Sequence, residues 1–380
     1  CCGPSFSPQG GRRPVVALEW PRLYNRAMPF RSSAMPHRPP AVNRPGRRRG
    51  VGTAIGLVLL LGLSSCSPRS EARGTECVAP ANPGGGWDLT CRVTARILNQ
   101  TDALPGVMRT VNMPGAGGGV AFAHAVARRG GDATVLFAAS PATTLRLAQG
   151  QYGPLQATDV RWLGALGAEY GIVAVASDSP WEDLGELMEA WRARPDSIVV
   201  SGGSAIVGQD HMKILLLARE AGIEPRRIRY VPFDGGGEAL TALVGGFVEV
   251  FSGEASEVEA YLETGAVRVL AVLAPEPLDG LLAGVPTARE SGYPVEWVTW
   301  RGFYLPGGLQ EAEYREWEAR LERVGRSEEW ARARAQARLR PFHLVGPDFE
   351  SFVMEQVSEF GNLARDLGLL DGAGRGGRGP

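Results

Sequence analysis

The sequence is poor in lysine, histidine and cysteine, and these scarcities narrow the classes of function that it supports. Lys213 is the only lysine among 40 basic residues, which we attribute to a compositional preference for arginine. The four histidines and five cysteines form no evident Ser-His-Asp or Cys-His grouping, and no paired carboxylates stand in a catalytic motif. The sequence therefore favours a binding protein over an enzyme, and it predicts no cofactor.

A basic surface is also missing from most of the chain. The formal net charge of the 380 residues is −1, but residues 1–65 contain ten arginines and one glutamate. The rest of the chain then holds 30 basic and 40 acidic residues, a net charge of −10. Because nucleic-acid binding requires a basic face, we expect no nucleic acid among the partners.

The apolar run at residues 51–63 is too short to span a membrane comfortably and follows three arginines at 47–49. This pattern is typical of a signal peptide. The run ends in Leu-Ser-Ser-Cys, which resembles the bacterial lipoprotein box and implies lipidation of Cys66; an ordinary secretory peptide is the alternative. We assign residues 1–65 to a non-native start plus the signal peptide and residues 66–74 to a lipidated tether. The folded part is then expected in the periplasm or on the outer cell surface.

Cys77 and Cys91 flank a glycine-rich loop at residues 80–87. In an oxidising compartment such a pair is expected to form a disulfide, which would stabilise the fold by about 3 kcal/mol. Two buried free thiols are the alternative reading. A metal site is not expected, because two cysteines without a nearby histidine supply too few ligands.

The same loop lies between a short predicted strand at 77–79 and a predicted helix at 88–99. A loop of this kind presents backbone N–H groups at the positive end of a helix, which is a suitable site for an anion. Its spacing matches neither the phosphate loop nor the dinucleotide fingerprint. The loop therefore predicts an anion site, with a carboxylate as one candidate.

Strands and helices alternate from here to about residue 290, which predicts parallel sheets with helices on their faces. Residues 310–339 are predicted as one long charged helical stretch. Several small-residue turns follow a strand and precede a helix, and such turns gather at the carboxyl ends of the strands, where ligands bind. These turns are residues 83–88, 140–144, 202–208, 234–237 and 252–254.

Long ordered motifs support a more specific interpretation of residues 77–370. They include APANPGGGWD, NMPGAGGGVAF, SGGSAIVGQDH, YVPFDGGGEAL and WRGFYLPGGL. In these motifs the chain resembles the substrate-binding receptors of tripartite tricarboxylate transporters, the TctC/Bug family.

The resemblance implies an α/β fold of the two-lobed periplasmic-binding-protein type (type II, Venus flytrap). Each lobe is then expected to hold a mainly parallel sheet, and the chain to cross twice between the lobes. Lobe 1 is predicted to comprise residues 75–171 and 300–380, with a disordered tail at 371–380. Lobe 2 is predicted to comprise residues 172–299.

The resemblance further implies that the protein captures a small di- or tricarboxylate in the cleft and delivers it to a two-component membrane permease. The protein is then expected to be a monomer that is attached to the membrane through its lipid anchor only. Residues carried over from the motifs are expected to bind the ligand, together with an arginine that is not general to the family. They are Gly84, Gly85, Gly86, Asp88, Ser140, Thr143, Ser201, Gly203, Ser204, Asp210, Asp234, Gly235, Gly236 and Arg301.

Several roles and outputs stay open at this point. Asp88 and Asp234 either cap helices or touch the ligand, and Arg301 either clamps a carboxylate or forms an inter-lobe salt bridge. Residues 252–254 depart from the family pattern, which leaves the identity of the ligand open. A sensor module that presents its ligand to a membrane kinase is an alternative function. An exported hydrolase is a weaker one, because it needs a nucleophile–base pair or a metal cluster.

Overall fold

The structure, a computed structural model, describes residues 74–369 with the exception of four positions. The predicted signal peptide, the Cys66 lipidation site and the predicted tail at 371–380 lie outside the described residues, as does Gly85. The four excepted positions are residues 85, 102, 103 and 105.

The strands are arranged around one unusually long strand. This strand has 17 residues, nearly all of them buried, and its apolar sequence VRWLGALGAEYGIVAVA is typical of a strand covered on both faces. The strands are β1 Glu76–Ala79, β2 Arg109–Asn112, β3 Val135–Ala139, β4 Val160–Ala176, β5 Val199–Gly202, β6 Arg229–Pro232, β7 Val250–Glu254, β8 Val267–Val272, β9 Val298–Pro306 and β10 Arg340–Val345.

β4 belongs to two sheets in succession. Its first part, up to Tyr170, pairs with β9 and β10 in the sheet that also contains β1, β2 and β3. From Gly171 onward it pairs with β7 and β8 in the sheet that also contains β5 and β6. One strand therefore carries the chain from the first sheet to the second, and β9 lies beside it.

Each sheet is mixed rather than mainly parallel. The outer pairs β1–β2, β1–β3, β5–β6 and β5–β7 are parallel, as the alternating pattern predicts. Every pair that includes β4 or β9 is antiparallel. β4 carries the chain into the second sheet and β9 carries it back, so these two neighbouring strands run in opposite directions.

The helices pack on the sheets, and most follow a strand through a short turn. Their bounds are α1 Gly86–Gln100, α2 Gly119–Arg128, α3 Pro141–Ala148, α4 Leu184–Ala193, α5 Gln209–Glu220, α6 Gly236–Val244, α7 Ala255–Glu263, α8 Glu311–Gly325, α9 Glu328–Gln336 and α10 Pro347–Asp366. The predicted single helix at 310–339 is thus two helices, because Ser327 caps the second one through a hydrogen bond from the Trp330 N–H.

A buried glutamine fixes α3 against the first sheet. The Gln356 Oε1 atom on α10 accepts hydrogen bonds from Thr144 Oγ1 at 2.8 Å and from Trp300 Nε1 at 3.1 Å. Thr144 lies on α3 and Trp300 on β9, and all three side chains are almost fully buried. These two buried hydrogen bonds restrict the position of α3, whose first turn faces the candidate site.

Candidate functional site

Five strand-to-helix turns meet at one cavity of about 750 Å³. They are the turns that lead into α1, α3, α5, α6 and α7, the same five that the sequence indicates. Each of these helices begins beside the cavity, so its first N–H groups and the positive end of its dipole lie there. A cavity of this size suits a small molecule, and its lining is rich in backbone donors.

Most of the predicted ligand-binding residues lie around this cavity. Asp88, Thr143 and Ser201 do not line it, and Gly85 lies outside the described residues. The predicted residues that line the cavity are Gly84, Gly86, Ser140, Gly203, Ser204, Asp210, Asp234, Gly235, Gly236 and Arg301.

Asp88 supports the loop before α1 instead of facing the cavity. Its Oδ2 atom accepts hydrogen bonds from the Gly84 N–H at 2.9 Å and from Arg92 Nε at 2.7 Å, and its Oδ1 atom accepts one from Asn112 Nδ2 at 2.9 Å. Burial alone would raise the pKa of Asp88, but these hydrogen bonds outweigh it and lower the pKa. Asp88 therefore stays ionised and fixes the loop geometry.

Thr143 and Ser201 are buried behind the cavity lining. The Thr143 N–H donates to the Ser140 carbonyl at 2.9 Å inside the first turn of α3, and Ser201 Oγ donates to the Val250 carbonyl at 3.2 Å across neighbouring strands. Both residues hold secondary structure together in the free protein. Neither residue lines the cavity in this structure.

The turns that lead into α1 and α3 form one side of the cavity, which we call the α1/α3 wall and define by Trp87, Ser140 and Arg146. Trp87 Nε1 donates to Ser140 Oγ at 3.1 Å and so joins the two turns. Beneath them a disulfide links Cys77 on β1 to Cys91 on α1, which confirms the predicted pairing. This wall is therefore held by a covalent bond and by the neutral Trp87–Ser140 hydrogen bond, in addition to the Asp88 hydrogen bonds described above.

Arg146 is a cavity residue that the sequence reasoning missed. Its guanidinium lines the cavity and hydrogen-bonds Gln151 Oε1, and no carboxylate of the described residues forms an ion pair with it. Burial lowers the pKa of Arg146, as expected for a cation that has lost water without gaining an anion. Arg146 lies near the end of α3, two residues after the predicted turn at 140–144, and no motif in the sequence marks it.

Arg301 also lines the cavity but already has an anionic partner. Its guanidinium forms a salt bridge with Glu169 on β4, and Glu169 also accepts a hydrogen bond from Ser256 Oγ. The guanidinium lies against the start of α1, since a Cβ atom built on Gly86 would be 2.6 Å from Arg301 Nη1. A side chain at position 86 would displace the Arg301 guanidinium, which lies between the start of α1 and Glu169 on β4.

The opposite side contains the turns before α5 and α7, which we call the α5/α7 wall and define by Gln209, Asp210, Glu254 and Glu257. Behind it, the fully buried Lys213 Nζ donates to Asp210 Oδ1 at 2.9 Å, to Glu254 Oε1 at 2.7 Å and to the Gly253 carbonyl at 3.0 Å. Burial opposes the charge on Lys213, but the two carboxylates outweigh it and raise its pKa. The lysine thus stays protonated inside the protein.

Glu257 adds a further carboxyl group to this wall. Its Oε2 atom accepts a hydrogen bond from the Glu254 N–H at 2.8 Å at the start of α7. Burial, together with the nearby Asp210 and Glu254 carboxylates, raises the pKa of Glu257 to about 8. The sequence indicates only the turn at 252–254, and the raised pKa depends on packing between elements far apart in the chain.

Ser204 and His211 serve the local structure of the α5 turn. Ser204 Oγ accepts a hydrogen bond from the Asp210 N–H at 3.0 Å and so caps α5, although the residue also lines the cavity. His211 does not line the cavity: its Nδ1 atom accepts from the Val207 N–H at 3.0 Å, and its ring stacks on Tyr230. Burial lowers the pKa of His211 to about 4, so the ring is neutral.

Among residues 74–369, apart from the four excepted positions, no group of three or more His, Cys, Asp or Glu side chains is arranged to hold a metal ion. No helix in the described part of the chain has the length and apolar character needed to cross a membrane.

The two-sheet fold with a ligand-sized cavity at the strand-to-helix turns defines a class of solute-binding receptors. A model of the "tripartite tricarboxylate transporter family receptor" matches residues 92–369. The chain therefore belongs to this family, as the sequence motifs predict, and the family is one of receptors rather than enzymes.

Individual relatives agree with this assignment. The protein BugT of Bordetella pertussis is 28% identical over 242 residues, which cover 62% of this chain and 72% of that protein. MatC of Rhodopseudomonas palustris, solved with bound malate, has a TM-score of 0.64 and 24% identity over 77% of this chain and 99% of its own. Rpa4515 of R. palustris, solved with adipate, has a TM-score of 0.68 and 22% identity, and the match covers 79% of this chain and 98% of that chain. These structures confirm the predicted two-lobed type II fold class.

Proposed function

We propose that the protein captures a small carboxylate in the cavity and delivers it to a membrane permease. The observation that carries this proposal is the meeting of five helix N-termini and the unpaired Arg146 at one cavity. Backbone N–H groups at helix N-termini and an arginine without an anionic partner are groups that bind a carboxylate. Relatives of the same fold that hold malate and adipate support the choice of ligand class.

The ligand contacts proposed here differ in part from those expected from the motifs. Arg146 is proposed to bind the carboxylate directly, together with the N–H groups at the start of α6. No side chain caps α6, whose N-cap is Gly235, so its first N–H groups are available to an anion. Asp88 is proposed to act only through the loop that it supports, because its oxygens already accept three hydrogen bonds.

The lobe boundaries and the location of the protein are part of the same proposal. We place lobe 1 at residues 75–171 and 300–380 and lobe 2 at residues 172–299, which is supported by the change of strand partners at Gly171 in β4. The disulfide supports a location outside the cytoplasm, because such bonds persist in oxidising compartments. Delivery to a permease is supported by the family to which the chain belongs.

A thermal-shift screen of small mono-, di- and tricarboxylates tests the proposed function. A ligand at 100 times its Kd adds about 2.7 kcal/mol to the free energy of unfolding, which raises the melting temperature by several degrees. Chloride and sulfate at equal ionic strength are the controls for non-specific ion effects. If no carboxylate stabilises the protein beyond these salts, the proposed function is wrong.

A further inference from the structure

An unsatisfied carboxylate oxygen in the α5/α7 wall provides information about the ligand. Glu254 lies where β7 ends and α7 begins, lines the cavity and is only 3% exposed. Its Oε1 atom accepts hydrogen bonds from Lys213 Nζ, from Thr299 Oγ1 at 2.8 Å and from Gln209 Nε2 at 3.2 Å. Its Oε2 atom, although buried, accepts none from the described residues. A buried carboxylate oxygen without a donor is unfavourable, so the site lacks a hydrogen-bond donor.

Gln209 has the same deficiency at the same place. It also lines the cavity, and its Nε2 atom is occupied by Glu254. The atom left over is Oε1, which is buried and has no hydrogen-bond partner within the described part of the chain. Two neighbouring side chains in this wall therefore each present an unused acceptor, and a ligand group that satisfies both must carry at least two donor hydrogens.

The charges around these acceptors favour a cation. Three carboxylates, those of Glu169, Asp210 and Glu254, are packed with two cations, Lys213 and Arg301, while the neighbouring Glu257 is mostly protonated at neutral pH because its pKa is raised to about 8. Arg301 is already paired with Glu169, and Lys213 is shared between Asp210 and Glu254. A positively charged ligand group at the Glu254 Oε2 atom would reduce this excess of negative charge, whereas a second ligand carboxylate would increase it.

We infer that the ligand is an amino carboxylate, whose protonated amine is bound by Glu254 and Gln209 while its carboxylate is bound by Arg146 and the helix N-termini. An ammonium group has three donor hydrogens and one positive charge, which matches both unused acceptors and the local charge. A hydroxyl group would supply a single donor and no charge. The inference rests on the proposed function, because it assigns the second functional group of the same bound molecule.

Calorimetric titration with matched pairs of acids tests the inference, in buffer that contains a chelator so that no divalent cation replaces the amine. The pairs are succinate and aspartate, glutarate and glutamate, and propionate and alanine, whose members differ by one amino group. We expect the amino acid of the best-binding pair to bind at least about tenfold more tightly than its partner, as for a hydrogen bond between charged groups.

Variants of the α5/α7 wall then separate the amine contact from general effects. Glu254→Gln should reduce the preference for the amino acid to near unity, because an amide neither bears the charge nor presents the same acceptor. Gln209→Met should reduce the preference several-fold, and it keeps the Glu254–Lys213 pair in case Glu254→Gln fails to fold. Glu263→Gln at the exposed end of α7 removes the same charge far from the cavity and should leave the preference unchanged.

The outcomes distinguish the two proposals. Equal or tighter binding of the acids without an amine would overturn the amine contact and leave the carboxylate receptor in place. A preference that persists in both Glu254→Gln and Gln209→Met would also overturn it. If no member of any pair binds and the thermal-shift screen finds no other carboxylate, the proposed function itself is wrong.

Discussion

The two walls of the cavity are stabilised by opposite means. The α1/α3 wall is held by a disulfide, by the neutral Trp87–Ser140 hydrogen bond and by Asp88 behind its loop, and its one cation, Arg146, is left without an anionic partner among the described residues. The α5/α7 wall is held by a buried lysine and has more carboxyl groups than cations. The difference suggests that the walls receive different ends of one ligand, since each wall lacks the charge that the other has in excess.

The largest expected effect comes from removing the buried cation of the α5/α7 wall. Lys213→Met leaves Asp210 and Glu254 buried without their partner, which should cost about 3–5 kcal/mol of the free energy of unfolding. Arg219→Met on the same helix is the matched control, because Arg219 is partly exposed and pairs only with Glu220. The control should cost less than about 1 kcal/mol in urea denaturation. Equal losses for the two variants would contradict the account of this wall.

The next effect concerns the covalent support of the α1/α3 wall. Replacing both Cys77 and Cys91 by alanine opens a loop with a sequence separation of 14 residues. The variant should lose about 3 kcal/mol of the free energy of unfolding, and a reducing agent should produce a similar loss in the unmodified protein. The reducing agent should leave the double variant unchanged. A loss below about 1 kcal/mol would show that the hydrogen bonds alone hold this wall.

The two arginines of the cavity offer a direct comparison of paired and unpaired charge. Arg146→Gln should weaken carboxylate binding at least about tenfold and leave the melting temperature of the free protein nearly unchanged, because no buried anion loses its partner. Arg301→Gln leaves Glu169 buried and unpaired, so it should lower the melting temperature of the free protein by several degrees. Calorimetry and thermal unfolding of both variants measure the two effects. The reverse pattern would show that Arg301 is the ligand-binding arginine.

Much of this arrangement follows from local sequence, and the remainder depends on contacts between distant elements. The turns at 83–88, 140–144 and 234–237 combine small residues with helix starts, so their positions at the cavity can be predicted from strand order alone. The cysteine pair can be predicted because both residues flank one loop. Arg146 could not be selected from the other arginines, because its role depends on the absence of a partner rather than on a motif.

Two further features required the folded chain. β10 lies between two strongly helical stretches, and its pairing with β4 provides the reason for its extended form. Lys213 falls within the apolar sequence of α5. Its role depends on Glu254 at the end of β7, which lies 41 residues later in the chain and accepts a hydrogen bond from Lys213 Nζ. A compositional preference for arginine accounts for the scarcity of lysine and gives Lys213 no role, whereas the structure shows that Lys213 is a buried ion-pair partner.

A pH dependence that arises in the α5/α7 wall is also expected. The pKa of Glu257 is raised to about 8 in the folded protein from an ordinary value of 4.5, so the folded state retains a proton that the unfolded state has lost. The contribution of Glu257 to stability therefore falls as the pH rises from about 4.5 to about 8. Glu257→Gln should remove this dependence and raise the melting temperature more at pH 9 than at pH 5. A uniform shift at both pH values would show that Asp210, Glu254 and Glu169 do not raise the pKa of Glu257.

The central claim is that one cavity binds a carboxylate at its α1/α3 wall. A crystal structure of the protein with the best acid from the screen tests this claim most directly. The account predicts a ligand carboxylate within hydrogen-bonding distance of the Arg146 guanidinium and of backbone N–H groups at the start of α6. A carboxylate bound outside the cavity, or one that contacts Glu254 while Arg146 faces solvent, would contradict it.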